Sequence, residues 1–153
     1  MNISYREANL NDLAQLKKLE QAVVDAERPF NQSIKEGPAA YYDIKALIRN
    51  DNACLIIAEE SELIIGSGYA QIRESKTYLE HDLHSYLGFM YVASGYRGQG
   101  INKAIIERLI TWSRSKNVDD FYLDVYSQNT AAIKAYEKAG FKANMTEMKL
   151  NHK

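Results

Sequence analysis

Apolar and polar positions along this chain fall into two rhythms, and the switches between them mark the elements. Residues 3–6 alternate and predict a short first strand. Leu13, Leu16, Leu19 and Val23 then recur at helical spacing behind Asn11 or Asp12, either of which can cap the helix. Arg28-Pro29-Phe30-Asn31 breaks that pattern. Gly37-Pro38 turns the chain into a second predicted helix, with Ala39, Tyr42, Ala46 and Leu47 on its inner side. Residues 53–58 and 63–72 predict strands joined by polar Glu59-Glu60-Ser61-Glu62, and Gly66 and Gly68 signal a bulge or a close backbone approach. A turn over residues 73–76 leads to a strand over 83–92, rich in Tyr, Phe and Leu. The clearest helix carries Ile101, Ala104, Ile105, Arg108, Leu109 and Trp112 on one stripe, whose aliphatic part faces a core. Residues 121–126 predict a strand. Asn129 or Thr130 opens a helix through Lys138, and Gly140 ends it at the C′ position. Residues 141–150 are expected to close the sheet. The predicted order is βααβββαβαβ, an α/β fold with a mixed central sheet and antiparallel hairpins in its middle. These elements fill residues 1–153 as a single domain, with no repeat, linker or low-complexity segment.

Composition narrows the function classes. A hydrophobic content of 46% supports a packed core. With 19 basic and 20 acidic side chains, a net charge of −1 and no basic block, the chain lacks the footprint of a nucleic-acid binder. Cys54 is the only cysteine, so no internal disulfide forms. It lies in an apolar run without a neighbouring His or Asn, where a thiol packs as a small hydrophobe. Apolar runs such as Leu63-Ile64-Ile65 are too short to span a bilayer, and residues 1–7 lack the apolar stretch of a signal peptide. The expectation is a cytoplasmic protein with no membrane partner.

The candidate chemistry lies at residues 90–102, where Met90-Tyr91-Val92 runs into a turn containing Gly95, Gly98 and Gly100 and a helix leaves it. A helix mouth aims unpaired backbone N–H groups and a positive dipole end at one point, which suits a phosphate. The same turn also reads as structural punctuation. It matches neither common nucleotide motif: Lys103 stands where Gly-x-Gly-x-x-Gly needs its third glycine, and Ile101 follows Gly100 where a P-loop needs lysine. A second segment bears on the choice. Asn129 opens a helix on which Tyr136 lies two turns along, on the same face. Asn129 can be cap and ligand at once, or only a cap, with Tyr136 only core.

Together these segments resemble the GCN5-related N-acetyltransferase (GNAT) family, which transfers an acyl group from coenzyme A to an amine. The family's Arg/Gln-x-x-Gly-x-Gly/Ala loop appears as Arg97-Gly98-Gln99-Gly100-Ile101-Asn102, with Asn102 departing from the usual glycine or alanine. The signature Asn-x-x-Ala-Ile-x-x-Tyr-Glu-Lys-x-Gly-Phe is matched at every fixed place from Asn129 to Phe141. The resemblance is specific over residues 86–141, and the first half agrees in element order alone.

The resemblance implies a splayed strand pair whose gap admits the pantetheine arm, paired along Met90, Tyr91 and Val92 as an extra strand. It implies acetyl-CoA as donor, held at its pyrophosphate by Arg97, Gly98, Gln99, Gly100, Ile101, Asn102 and Lys103. Asn129 and Ala132 would contact the arm, and Tyr136 would stand beside the sulfur. No metal is implied. An attacking amine must be neutral, although a lysine amine titrates near ~10.4 and an α-amine near ~7.7–8.0. A base is therefore needed, and a phenol can serve the leaving thiolate as general acid, the role expected of Tyr136. Many family members carry a base, Glu, six residues ahead of the position of Val92, where this chain has Tyr86. His84 lies on the same side of that strand, so Tyr86 and His84 are the base or water-relay candidates, beside a water chain along backbone carbonyls. Asp124 reads either as a contact for a cationic amine or as an exposed strand carboxylate. The amine acceptor is expected over the first two helices, where Glu27, Arg28, Asn31, Glu36, Tyr41, Tyr42 and Asp43 crowd together. Family relatives commonly pair, so a homodimer is an admissible state. The rival reading is a non-catalytic acyl-CoA sensor or interaction module on the same fold.

Overall fold

The computed structural model describes residues 2–153. In chain order the elements are β1 (Ser4–Glu7), α1 (Leu13–Glu27), α2 (Ile44–Arg49), β2 (Ala53–Glu60), β3 (Leu63–Glu74), β4 (Leu83–Val92), α3 (Ile101–Ser115), β5 (Phe121–Tyr122) and α4 (Thr130–Lys138). The strands form one sheet in the order β1-β2-β3-β4-β5, antiparallel except for the parallel β4–β5 pair. Side chains alternate across β2, so the two faces receive different partners. Leu55 and Ile57 pack with Leu16 and Val23 of α1 and with Ile44 and Leu47 of α2. Cys54, Ile56 and Ala58 pack with Ile101, Ile105 and Leu109 of α3. The helical stripe expected over α3 therefore closes one side of the sheet, and burial pushes the Cys54 thiol up to about 12, as suits an inert core thiol. Among the described residues no helix is long and apolar enough to cross a membrane.

Four expectations give way, the first being the strand over residues 121–126, which stops at Tyr122. Asp12 does not cap α1 with its side chain. Its two oxygens take the Arg6 guanidinium at 2.8 Å each, while Arg6 Nε reaches Glu59 at 2.9 Å, tying β1, β2 and the start of α1 together. That pairing holds the Asp12 carboxyl below the usual carboxylate range. The second helix starts late, at Ile44, because its intended first turn has other partners. The N–H groups of Tyr41 and Tyr42 both donate to the buried Glu20 carboxylate at 2.8 Å, and Asp43 then caps α2. The closing strand over residues 141–150 is not formed. Met145, Met148 and Leu150 stand 81%, 87% and 81% exposed. The observed order is thus βααβββαβα.

The glycines of β3 mark a close approach, as expected. A Cβ on Gly68 would come within 2.6 Å of Met90 Sδ and 2.7 Å of Ile105 Cγ2. Gly68→Ala should therefore overpack the contact between the sheet and α3, lowering stability by about 1–3 kcal/mol in a denaturant titration.

The feature that shapes the site lies in β4. The register runs Ser67↔Tyr91 and then Tyr69↔Gly88, so Phe89 and Met90 oppose Gly68 alone. This is a β-bulge, which bends its strand. Phe89 carries the bend at φ +52°, a left-handed value that costs a non-glycine residue about 1–3 kcal/mol. Its surroundings hold it there: the ring is 1% exposed and stacked on Tyr42 at 4.8 Å, and its carbonyl accepts from Ser67 Oγ at 2.7 Å. Tyr69 occupies the space a side chain on Gly88 would need. On the other edge, β4 pairs with β5 only at Ser85↔Phe121 and Tyr86↔Tyr122. Beyond Tyr86 the two strands part.

Candidate active site

The gap between β4 and β5 ends at the mouth of α3. Gly98 and Gly100 both sit at φ +79°, and Gly100 is the N-cap, so no side chain closes the helix end. The first helical bond runs from the Ala104 N–H to the Gly100 carbonyl at 3.0 Å. The N–H groups of Ile101, Asn102 and Lys103 are thus left without helical acceptors. A Cβ built on Gly98 or Gly100 meets nothing within 4 Å, so it is the left-handed backbone, not crowding, that calls for glycine there. Arg97 braces the turn, donating from Nε to the Val92 carbonyl at 2.9 Å with its guanidinium 5.4 Å from the Tyr91 ring. Gln99 is exposed between the two left-handed glycines. A mouth of this kind can hold a diphosphate through backbone donors and dipole. Met90 and Val92 of the adjoining strand pack toward α3, and Tyr91 packs toward α1.

The opposite wall is the chain after β5, followed by α4. Asn129 caps α4, accepting from the Ala132 N–H at 3.3 Å. Tyr136 sits edge-on to Phe141 at 6.0 Å, and burial pushes its phenol up to about 12. Gly140 closes the helix at C′, with the Phe141 N–H on the Tyr136 carbonyl at 3.0 Å. These bonds fix the end of the turn that carries Tyr136.

Tyr86 lies where the strands part. Its hydroxyl donates to Asp124 Oδ2 at 2.9 Å, and the Arg73 guanidinium lies 4.0 Å over its ring. Burial and the Asp124 carboxylate both raise its pKa, so the phenol stays neutral. His84 belongs to the closed end, where β4 and β5 are still paired. Its Nδ1 shares Ser75 Oγ at 3.0 Å, its ring meets Tyr122 at 4.9 Å, and burial with nearby His81 lowers its pKa. The structure thus sets Tyr86 facing Asp124 and His84 in a separate cluster with Ser75, His81 and Tyr122.

The side of the cleft under α1 is built from an irregular segment over residues 31–43. Asn31 Nδ2 donates to Tyr126 OH at 2.9 Å, and Phe30 stacks on Tyr126 at 6.3 Å. These contacts join the end of α1 to the chain between β5 and α4. Tyr41, Tyr42, Tyr69, Gln71 and Arg73 line a recess of about 200 Å³ on this side. A larger hollow of about 850 Å³ lies over α1 and α2, around Lys17, Pro38 and Lys45, and shares Tyr41, Tyr42 and Asp43 with the first. The bulge signalled at Gly68 does occur there, but the extra residue lies on the partner strand at Phe89–Met90, which the sequence reading did not assign. That reading also missed the Tyr86–Asp124 bond, which joins residues far apart in the chain.

A model described as the acetyltransferase (GNAT) family matches residues 19–141. The chain belongs to this family. As a GNAT acetyltransferase it carries the family's mixed sheet, and solved structures share that fold over nearly the whole chain. One Bacillus halodurans protein is 23% identical with a TM-score of 0.83, covering 99% of both chains. A Clostridium acetobutylicum protein described as a predicted acetyltransferase with acetyl-CoA is 22% identical with a TM-score of 0.74, covering 98% of this chain and 96% of that one. Among curated proteins, N-alpha-acetyltransferase 30 of Saccharomyces cerevisiae is 37% identical over 59 residues, 39% of this chain. Human N-acetyltransferase 8B is 28% identical over 98 residues, 64% of this chain. The matched regions span 34% and 42% of those two relatives.

Proposed function

We propose that this GNAT acetyltransferase moves the acetyl group of acetyl-CoA directly to an amine, with residues 1–153 acting as one catalytic domain. The observation that carries this reading is the parted β4–β5 pair running into the uncapped mouth of α3. The amides of Ile101, Asn102 and Lys103, with the Gly98–Gly100 turn, suit the pyrophosphate. The strand edge at Met90–Val92 suits the pantetheine arm, and Asn129 and Ala132 flank it. A neutral amine attacks the thioester carbon, the C–N bond forms and the C–S bond breaks. Backbone N–H groups at the bulge suit the developing oxyanion, and the Tyr136 hydroxyl suits the departing sulfur. Tyr86 in place of a carboxylate is what motivates the rival reading, a sensor that binds without turnover.

Two measurements decide between them. Acetyl-CoA should raise the melting temperature while adenosine diphosphate does little, because the arm contributes contacts that the nucleotide lacks. Thiol release over a panel of amines should then show turnover. A thermal shift without turnover would favour the sensor, and no thermal shift at all would overturn both readings.

A further inference from the structure

Two exposed charges of opposite sign flank the Tyr86 ring where β4 and β5 part. Arg73, near the end of β3, lays its guanidinium 4.0 Å from the ring centre, over one face, and Asp124 Oδ2 takes the ring's hydroxyl at 2.9 Å. Neither charge has an ion-pair partner among the described residues. The Arg73 head is nonetheless held in place, by the ring beneath it and by the bond from its Nε to Gln71 Oε1 at 2.9 Å. That leaves its two terminal nitrogens without a carboxylate. Asp124 is likewise fixed through one oxygen, and Oδ1 is uncommitted. Arg73 is also the cation lining the recess of about 200 Å³, which it shares with Tyr42, Leu47 and Tyr69. The acid in that recess, Asp43, is engaged elsewhere, since it accepts from the Ala46 N–H at 3.1 Å as the cap of α2. Tyr41, on the same wall, keeps a buried hydroxyl with no hydrogen-bond partner in the protein. A cation and an anion one phenol ring apart, each anchored and each with atoms to spare, complement a molecule that carries the opposite pair.

We propose that the acceptor is a free α-amino acid, with Arg73 receiving its carboxylate and Asp124 its ammonium group. The assignment rests on the acetyl-transfer reading above and names the substrate class of that site. A guanidinium offers a carboxylate two parallel N–H donors, a match that a lysine ammonium lacks. One carbon joins the two charged groups of an α-amino acid, so the molecule is short enough to bridge a single ring. A recess of about 200 Å³ beside Arg73 is smaller than the roughly 300–1,000 Å³ of pockets for drug-sized ligands, and it suits a side chain of this class. Asp124 belongs to the wall of the parted strands, so an amine bound there stands at the gap that receives the thioester arm. The α-nitrogen forms the C–N bond as the C–S bond breaks. It sheds two protons, one to the sulfur and one to solvent, so ammonium plus thioester gives amide, free thiol and one released proton. The product keeps its carboxylate and loses its positive charge. It therefore gives up the Asp124 contact, which favours its release.

The test follows thiol release from acetyl-CoA with each of the twenty amino acids, then compares the best of them with its carboxamide and its decarboxylated amine. The amino acid should exceed both in kcat/KM by about 10–100-fold. The carboxamide has the less basic nitrogen, so reactivity alone would favour it over the amino acid. Arg73→Met should raise KM for the amino acid by a similar factor and leave the other two substrates unchanged, so that the preference collapses. Arg73→Lys should restore part of it. Asp124→Asn should raise KM for all three. The thermal shift given by acetyl-CoA should match wild type in every variant, which reports an intact fold and donor site. Turnover of none of the twenty amino acids overturns the proposal. So does a decarboxylated amine that reacts as well as its amino acid, or an R73M enzyme that keeps the preference or loses all three substrates alike. In each of these cases acetylation of any other amine leaves the acetyl-transfer reading standing, whereas an enzyme that acetylates no amine at all brings down both.

Discussion

Replacing Tyr136 by Phe is expected to lower kcat by about a hundredfold or more while leaving acetyl-CoA affinity near the wild-type value. The substitution removes one oxygen and keeps the ring. The edge-on packing against Phe141 at 6.0 Å and the helix-ending bond to the Phe141 N–H therefore survive, and the fold is not at issue. What is lost, on the proposed reading, is the donor for the sulfur as the C–S bond breaks. Burial holds this phenol at about 12, so it is protonated throughout the working range and contributes no limb of its own to the pH profile there. Y136F should accordingly depress the plateau without moving the acid limb. Single-turnover acetyl transfer, followed across pH, separates the two effects. An unchanged plateau removes Tyr136 from the chemistry.

Gly100→Val is expected to weaken acetyl-CoA binding by tenfold or more, measured by calorimetric titration. Gly100 sits at φ +79°, ψ +11°, and a side chain in that region costs about 1–2 kcal/mol, more for a β-branched one. The residue relieves that strain by rotating its backbone, which redirects the amides of the first turn of α3. The helix itself, anchored by buried Ile101, Ile105 and Leu109, stays in place. The loss should therefore appear in the affinity for the diphosphate-bearing donor more than in global stability. Full-strength binding by G100V would show that the anion is held elsewhere.

The chain made some of this architecture plain and hid the rest. Strands β2, β3 and β4 and helices α3 and α4 lie within a residue or two of where hydrophobic rhythm puts them, because each is bounded by local turn and cap signals. The Asn129 cap and the Gly140 terminator are local devices, and both occur where local chemistry predicts them. The failures are all nonlocal. Ala39 and Tyr42 have helical spacing relative to Ala46, but the Glu20 carboxylate from α1 captures the Tyr41 and Tyr42 N–H groups. Asp12 stands at a helix start, yet an arginine from β1 offers it two charge-assisted bonds in place of a cap. The last segment has a strand-like composition, but β5 contributes only Phe121–Tyr122 to the sheet and offers no extended edge to receive it.

The site divides in the same way. The glycine turn and the Tyr136 helix are contiguous motifs and can be read directly. The Tyr86–Asp124 and Asn31–Tyr126 bonds join stretches far apart in the chain and cannot. Phe89 is the sharpest case, since a buried aromatic residue at φ +52° carries no sequence signature of its own, only Gly88 beside it and Gly68 opposite.

On the proposed reading, that bend separates donor binding and acceptor binding into different materials. The width of the donor slot is a property of the hydrophobic interior, set where Phe89 is clamped between Ser67 and Tyr42, so altering it means rebuilding the sheet. The acceptor side, on the same proposed reading, is walled by an irregular stretch held by a handful of side-chain bonds to α1. Substitutions there can redraw which molecule is modified while the acyl carrier, and the machinery that grips it, stay the same.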